Sequence, residues 1–165
     1  MEAYKASWRA FSDAIVEHGA PYLDWRVMEQ PYVLRCLPRL VSLASLVLDW
    51  TGMDTAVTLE EAMAKAAADR QPFLPALEDL YVRMRSEHGA DRLFRALGQL
   101  RQLTELRIHG MDSQTSFGAA ARALGEAMAA GGFASLTCLR LHSLEDGDLA
   151  ALVPGLMAGP CVRTL

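Results

Sequence analysis

The side chains best suited to recognition chemistry in this 165-residue chain fall at alternate positions in three short stretches. They are Asp79, Tyr81 and Arg83 in "LEDLYVRM", Glu105, Arg107 and His109 in "LTELRIHG", and Cys138, Arg140 and His142 in "LTCLRLHS". Alternate spacing belongs to one face of a β-strand. A fourth stretch, "LASLVLDW", carries Ser45, Val47 and Asp49 in the same phase. If these stretches pair in parallel, equivalent positions stand side by side, about 4.8 Å apart. Arg83, His109 and His142 then form one row, Tyr81, Arg107 and Arg140 a second, and Asp79 and Glu105 a third. Arginine and tyrosine often anchor protein interfaces, and Tyr81 beside Arg107 suits a cation–π contact. The plainer reading is mutual ion pairing on a solvated sheet face.

Other chemistries find little support. Cys138 lies four residues from His142, about 13 Å along a strand at about 3.3 Å per residue. That is too far for one tetrahedral zinc site, so no metal is expected. The acidic turn holding Glu145, Asp146 and Asp148 lacks the ligand alternation of a calcium loop and suits helix capping by Asp146 or Asp148. His18 and His88 each precede a glycine, near a helix or turn end, where a histidine commonly serves the terminal carbonyls and the dipole. No GxSxG, P-loop, dinucleotide glycine motif or HExxH occurs, and neither an enzyme nor a cofactor is expected. The net charge is −4 without a block of lysine or arginine, which weighs against nucleic acid as partner. The three cysteines, Cys36, Cys138 and Cys161, are scattered and read as free thiols of a reducing compartment. No secretory signal or membrane-length apolar run is visible. An intracellular protein is expected, in the cytoplasm first, with an organelle as the other option.

The elements that must position these residues repeat. Each stretch sets apolar residues at steps of three, three and two. The sets are Leu40, Leu43, Leu46, Leu48; Leu74, Leu77, Leu80, Val82; Leu100, Leu103, Leu106, Ile108; and Phe133, Leu136, Leu139, Leu141. The final step of two is a strand period, and the steps of three suit a tight turn leading in. From Leu43 the repeat advances by 34, 26 and 33 residues. Helical stripes lie between. Leu59, Ala62, Met63 and Ala66 follow a capping-box pair, Thr58 and Glu61. Leu93, Phe94 and Leu97 form a second stripe. Ala120, Leu124, Ala127 and Met128 form a third, stopped by Gly131 and Gly132. Leu149, Leu152, Val153 and Leu156 form a fourth, with Pro154 expected in a first or second turn. Strands alternating with helices predict an α/β fold with a parallel sheet.

The segment "ARALGEAMAAGGFASLTCLRL" resembles the leucine-rich repeat of the ribonuclease-inhibitor-like class. The resemblance spans residues 40–165 and is best at 118–141. It implies a solenoid: a curved parallel sheet on the concave side, helices on the convex side, and a concave face that binds other proteins. On that reading Asp79, Tyr81, Arg83, Glu105, Arg107, His109, Arg140 and His142 are the partner-binding residues. The chain departs from the family after each strand. Thr51, Arg85, Met111 and Leu144 stand where the family motif has asparagine.

Residues 1–39 are expected to form a helical cap, with Tyr4, Trp8, Phe11 and Ile15 on its apolar face. A degenerate repeat is expected there too, with Tyr22, Trp25 and Val27 in the strand pattern and a short helix around Val33 to Leu37. Residues 40–165 hold about four units plus the start of a fifth, in which Val162 and Leu165 match the repeat. A cut at Leu165, or a partner covering that edge, is the corresponding expectation. The function expected is a non-catalytic protein–protein interaction module. The alternative is a structural subunit built permanently into a large assembly.

Overall fold

The structure is a computed structural model that describes residues 10, 13–14, 17, 19, 21–25, 37–50, 53–110, 118–142 and 146–159. Five strands form one sheet: β1 (Tyr22–Trp25), β2 (Ser45–Trp50), β3 (Asp79–Met84), β4 (Glu105–Gly110) and β5 (Cys138–His142). They pair in sequence order, and every pairing is parallel. Parallel neighbours need a crossover. Helix α1 (Met53–Ala68), α2 (Ala90–Leu97) and α3 (Gly118–Ala129) each fill one between strands, and α4 (Asp146–Ala158) follows β5. The connection from β1 to β2 carries a 3-10 turn at Leu37–Arg39. The described part is thus α/β with a five-stranded parallel sheet and four α-helices.

The leucine pattern sets the register. Leu46, Leu80, Leu106 and Leu139 pair across β2 to β5, as do Leu48, Val82, Ile108 and Leu141. These face the core with Leu43, Leu77, Leu103 and Leu136, which are almost fully enclosed. The steps of three are tight turns. Leu43, Leu77, Leu103 and Leu136 each donate a backbone bond to the carbonyl three residues earlier. A second device joins the units. The carbonyls of Pro21, Ala44, Glu78 and Thr104 each accept two consecutive amides from the next unit, Ala44 and Ser45 through to Thr137 and Cys138. Strands β2 to β5 therefore each enter the sheet from the same hydrogen-bonded clamp, and their side chains emerge in the same phase.

Leu74 and Phe133 occupy equivalent turn positions in left-handed backbone conformations, φ 46° and 58°. Bulky residues adopt this region at a cost. Both side chains are buried, which holds the backbone there. The Gln102 side-chain amide also donates to the Leu74 carbonyl, tying that turn to the next.

Several sequence expectations are corrected. Thr58 does not cap α1, which begins five residues earlier at Met53. Its hydroxyl donates back to the Asp54 carbonyl at 2.8 Å, a mid-helix arrangement for a buried threonine. Pro154 lies deep inside α4 rather than in its first turns. It has no N–H for the Ala150 carbonyl, and its exposed position leaves that carbonyl near water. The stripe expected on α4 is rotated: Leu152 is buried, whereas Leu149 and Val153 are exposed. Helix α4 instead meets α3 through small residues. A Cβ at Gly125 would stand 3.1 Å from the Ala151 carbonyl, and one at Gly155 would overlap the Gly125 backbone. In β1, Leu23 pairs with Leu46 and Trp25 with Leu48, so Tyr22 is on the opposite face and exposed. Strand β1 thus shares the sheet with the later units.

Ala10, Asp13, Ala14 and Glu17 are helical and exposed, and Asp13 accepts a bond from Arg39 at 2.8 Å. The apolar positions expected beside them, Tyr4, Trp8, Phe11 and Ile15, lie outside the described residues. So do His18, Val27, Val33, Cys36, Thr51, Met111, Leu144, Glu145, Cys161, Val162 and Leu165. No helix among the described residues is long and apolar enough to cross a membrane.

Candidate functional site

The residues singled out by alternation stand together on the sheet face opposite the leucines. The register pairs Asp49 with Arg83, Arg83 with His109, and His109 with His142. It sets Val47, Tyr81, Arg107 and Arg140 in a second row, and Ser45, Asp79, Glu105 and Cys138 in a third. All eight expected site residues therefore lie on one surface.

Electrostatics organise that surface into two groups. Arg107 joins the third row to the second: it meets Glu105 at 2.8 Å and Asp79 at 3.3 Å. Glu105 also faces Arg140 at 3.3 Å, and Asp79 accepts the Ser45 hydroxyl at 2.9 Å. Arg107 thus directs its guanidinium nitrogens to two carboxylates. Arg140 is the more exposed arginine, at the β5 end of the rows. Its pKa is raised above the ordinary guanidinium value, first by a side-chain hydrogen bond with Cys138 and then by the charge of Glu105. Its charge is permanent at any working pH.

The second group is only half visible in the sequence. Asp49 is buried, with its side chain only 4% exposed, and meets Arg83 at 3.4 Å and Arg85 at 3.0 Å. Arg85 follows β3, at the position where the resembled family has asparagine. Here an ion pair reaching back to the neighbouring strand ties down that turn. Asp49 is in phase with the face, but nothing in the pattern marks it as the buried anchor of two arginines.

At the far corner the His109 and His142 rings meet edge-on, with centroids 5.7 Å apart. Among the described residues no group of three or more His, Cys, Asp or Glu side chains is arranged to hold a metal ion. His88 lies before α2 and not at a helix C-terminus, so it does not serve terminal carbonyls as expected. Its ring and amide contact the Ser86 hydroxyl instead. Asp148 is buried in the first turn of α4.

A shallow depression of about 190 Å³ opens on the sheet face, lined by Tyr22, Ser45, Val47, Asp79, Tyr81, Arg83 and Arg107. One oxygen of Asp79 beside it has no hydrogen-bond partner. Tyr22 and Ser45 join the site here. The sequence pattern misplaces Tyr22, because it sets that strand two residues out of register. Two larger recesses, about 550 and 640 Å³, flank α2 on the helical side. They arise because α2 has 8 residues between helices of 16 and 12.

Comparison with protein-family models finds no family that matches this chain, and comparison with curated proteins finds no relative.

Proposed function

We propose that the chain is a non-catalytic interaction module that binds another protein through this sheet face. The observation that carries the reading is the stacking of three largely polar rows, with Arg83, Arg107, Arg140 and Tyr81 among them, opposite a continuous apolar core. On this view the parallel sheet is the concave wall of a leucine-rich-repeat solenoid in an intracellular, reducing setting. The repeated carbonyl clamp and the free thiol of Cys138 support those two parts respectively. A partner carboxylate would compete with Glu105 for Arg107 and Arg140. Such exchange on an exposed face favours partner choice and association rate over raw affinity.

The test is affinity purification with mass spectrometry, comparing the native chain with the Arg107→Glu, Arg140→Glu double variant. Loss of the partners that the native chain retains is expected. Retention of every partner by a folded double variant sinks the assignment. The second reading, a subunit built permanently into a larger assembly, is favoured by the unequal repeat steps and by the Arg85–Asp49 pair in place of a regular turn. A chain that stays in solution and melts cooperatively when produced alone would count against it.

A further inference from the structure

The helical layer holds a recess that the polar rows do not use. Helix α2 has 8 residues beside the 16 of α1, so about 12 Å of α1 has no matching length of α2. The recess between them, about 550 Å³, has Met63, Ala64 and Ala67 of α1 on one side and Leu100 on the other, with Phe73 at its end. Met63 and Phe73 are half-buried and pack on the core from this direction. A largely apolar recess of this volume suits a small molecule, provided a few polar groups converge on it.

The rim supplies those groups, and their uncommitted charge has one sign. Glu60 stands on the rim but pairs with Arg92 at 3.0 Å. Arg95 meets Asp91 at 3.8 Å, with both side chains more than half exposed, a contact of little strength. Arg101 is exposed and makes no side-chain hydrogen bond or ion pair among the described residues. Both arginines stand on the ridge shared with the recess beside α3. The end of α2 does little to offset them. Its carbonyls at Phe94, Ala96 and Leu97 already accept the amides of Gly98, Gln99 and Leu100.

We propose that this recess binds a medium-chain aliphatic carboxylate. The carboxylate accepts from Arg95 and Arg101, and the hydrocarbon chain lies over Met63, Ala67 and Phe73. A length of about 12 Å holds an extended chain of about eight to ten carbons. Charge and surface together select this class. A neutral chain leaves both guanidiniums unmatched, and a bare anion such as phosphate leaves the apolar floor in water. The site is on the helical layer, away from the sheet face, and stands whether or not that face binds a protein.

NMR titration of the 165-residue chain with hexanoate, octanoate and decanoate tests this. Affinity should rise about fourfold at each two-carbon step, half the effect of full burial because the recess is open on one side. Decanoate should saturate with a Kd below about 1 mM. The neutral decanamide should bind at least about fivefold more weakly, and Arg95→Gln and Arg101→Gln should each cost about fivefold. Ala64→Phe, at an exposed position, should fill the recess and block binding without disturbing the core. Arg122→Gln, exposed on α3 outside the recess, should change nothing. Absence of saturation overturns the proposal, as does affinity indifferent to chain length or to both arginine variants. Displacement of decanoate by equimolar inorganic phosphate overturns it as well, since the site would then read charge alone. So does binding to phosphatidylglycerol vesicles without binding to decanoate.

Discussion

The contact between α3 and α4 makes a prediction in which one substitution has opposite signs at two sites of one helix. Replacing a helical glycine with alanine ordinarily stabilises, by up to about 1 kcal/mol. At Gly147 a new Cβ meets nothing within 4 Å, so Gly147→Ala should raise stability by about 0.5 kcal/mol, reduced because the site is in the first turn. At Gly155 the new Cβ would stand 2.7 Å from the carbonyl carbon of Gly125 and closer still to its oxygen and Cα. These are backbone atoms and cannot rotate away. Reaching an ordinary carbon–carbon contact of about 3.5–4 Å requires the helices to part by about 1 Å, and a gap of that size forfeits a quarter to a half of each contact's attraction. Overpacking of this kind costs about 1–3 kcal/mol, occasionally more. Overlap with three backbone atoms puts this site at the upper end of that range, so with the propensity gain subtracted Gly155→Ala should lose about 2 kcal/mol. At roughly 2–4 °C per kcal/mol for a chain of this length, Tm falls by about 4–8 °C, whereas Gly147→Ala raises it by about 1–2 °C. Paired thermal melts followed by circular dichroism read both. If Gly155→Ala melts with or above the native chain, the glycine contact is wrong, and so is the assignment of α4's flanks.

Other expectations concern stability and binding. Asp49→Ala should cost about 2 kcal/mol in urea unfolding, less than the 3–5 of a fully buried pair because Arg85 is half exposed and can turn to water. Thr58→Val should change stability by less than about 0.5 kcal/mol, because Thr58 is not a cap; a loss near 1 kcal/mol or more would reinstate it as one. The Arg107→Glu, Arg140→Glu variant should lose partners in the pull-down comparison.

Much of the sheet is legible in the amino-acid sequence because its information is local and periodic. A slip of one residue would turn Leu80, Leu106 and Leu139 to the polar face. The order of the rows from Asp49 to His142 follows from that constraint alone. Where the pattern misleads, a competing physical term is invisible to hydrophobicity. Tyr22 and Trp25 outweigh Leu23 by size, yet Leu23 fills the place of Leu46 in the core. Thr58 and Glu61 have capping-box spacing, but the same threonine can satisfy its hydroxyl inside a helix. On α4 the larger side chains suggest the buried stripe, whereas the contact is set by Gly125 and Gly155, whose role is their lack of a side chain. Asp49 is the hardest to see, because a carboxylate buried between two arginines looks, in sequence, like any acid on a strand.

The carbonyl clamp ahead of each strand has an evolutionary consequence. Ala44, Glu78 and Thr104 each fix where the following strand begins, whatever length of chain has intervened. Drift in spacing is thereby cancelled at every unit and does not accumulate along the molecule. Insertions between the end of one strand and the next clamp can lengthen a unit without moving a single side chain of the polar rows. Such a chain can change its outer dimensions through successive insertions and deletions while the surface it offers to others stays in register.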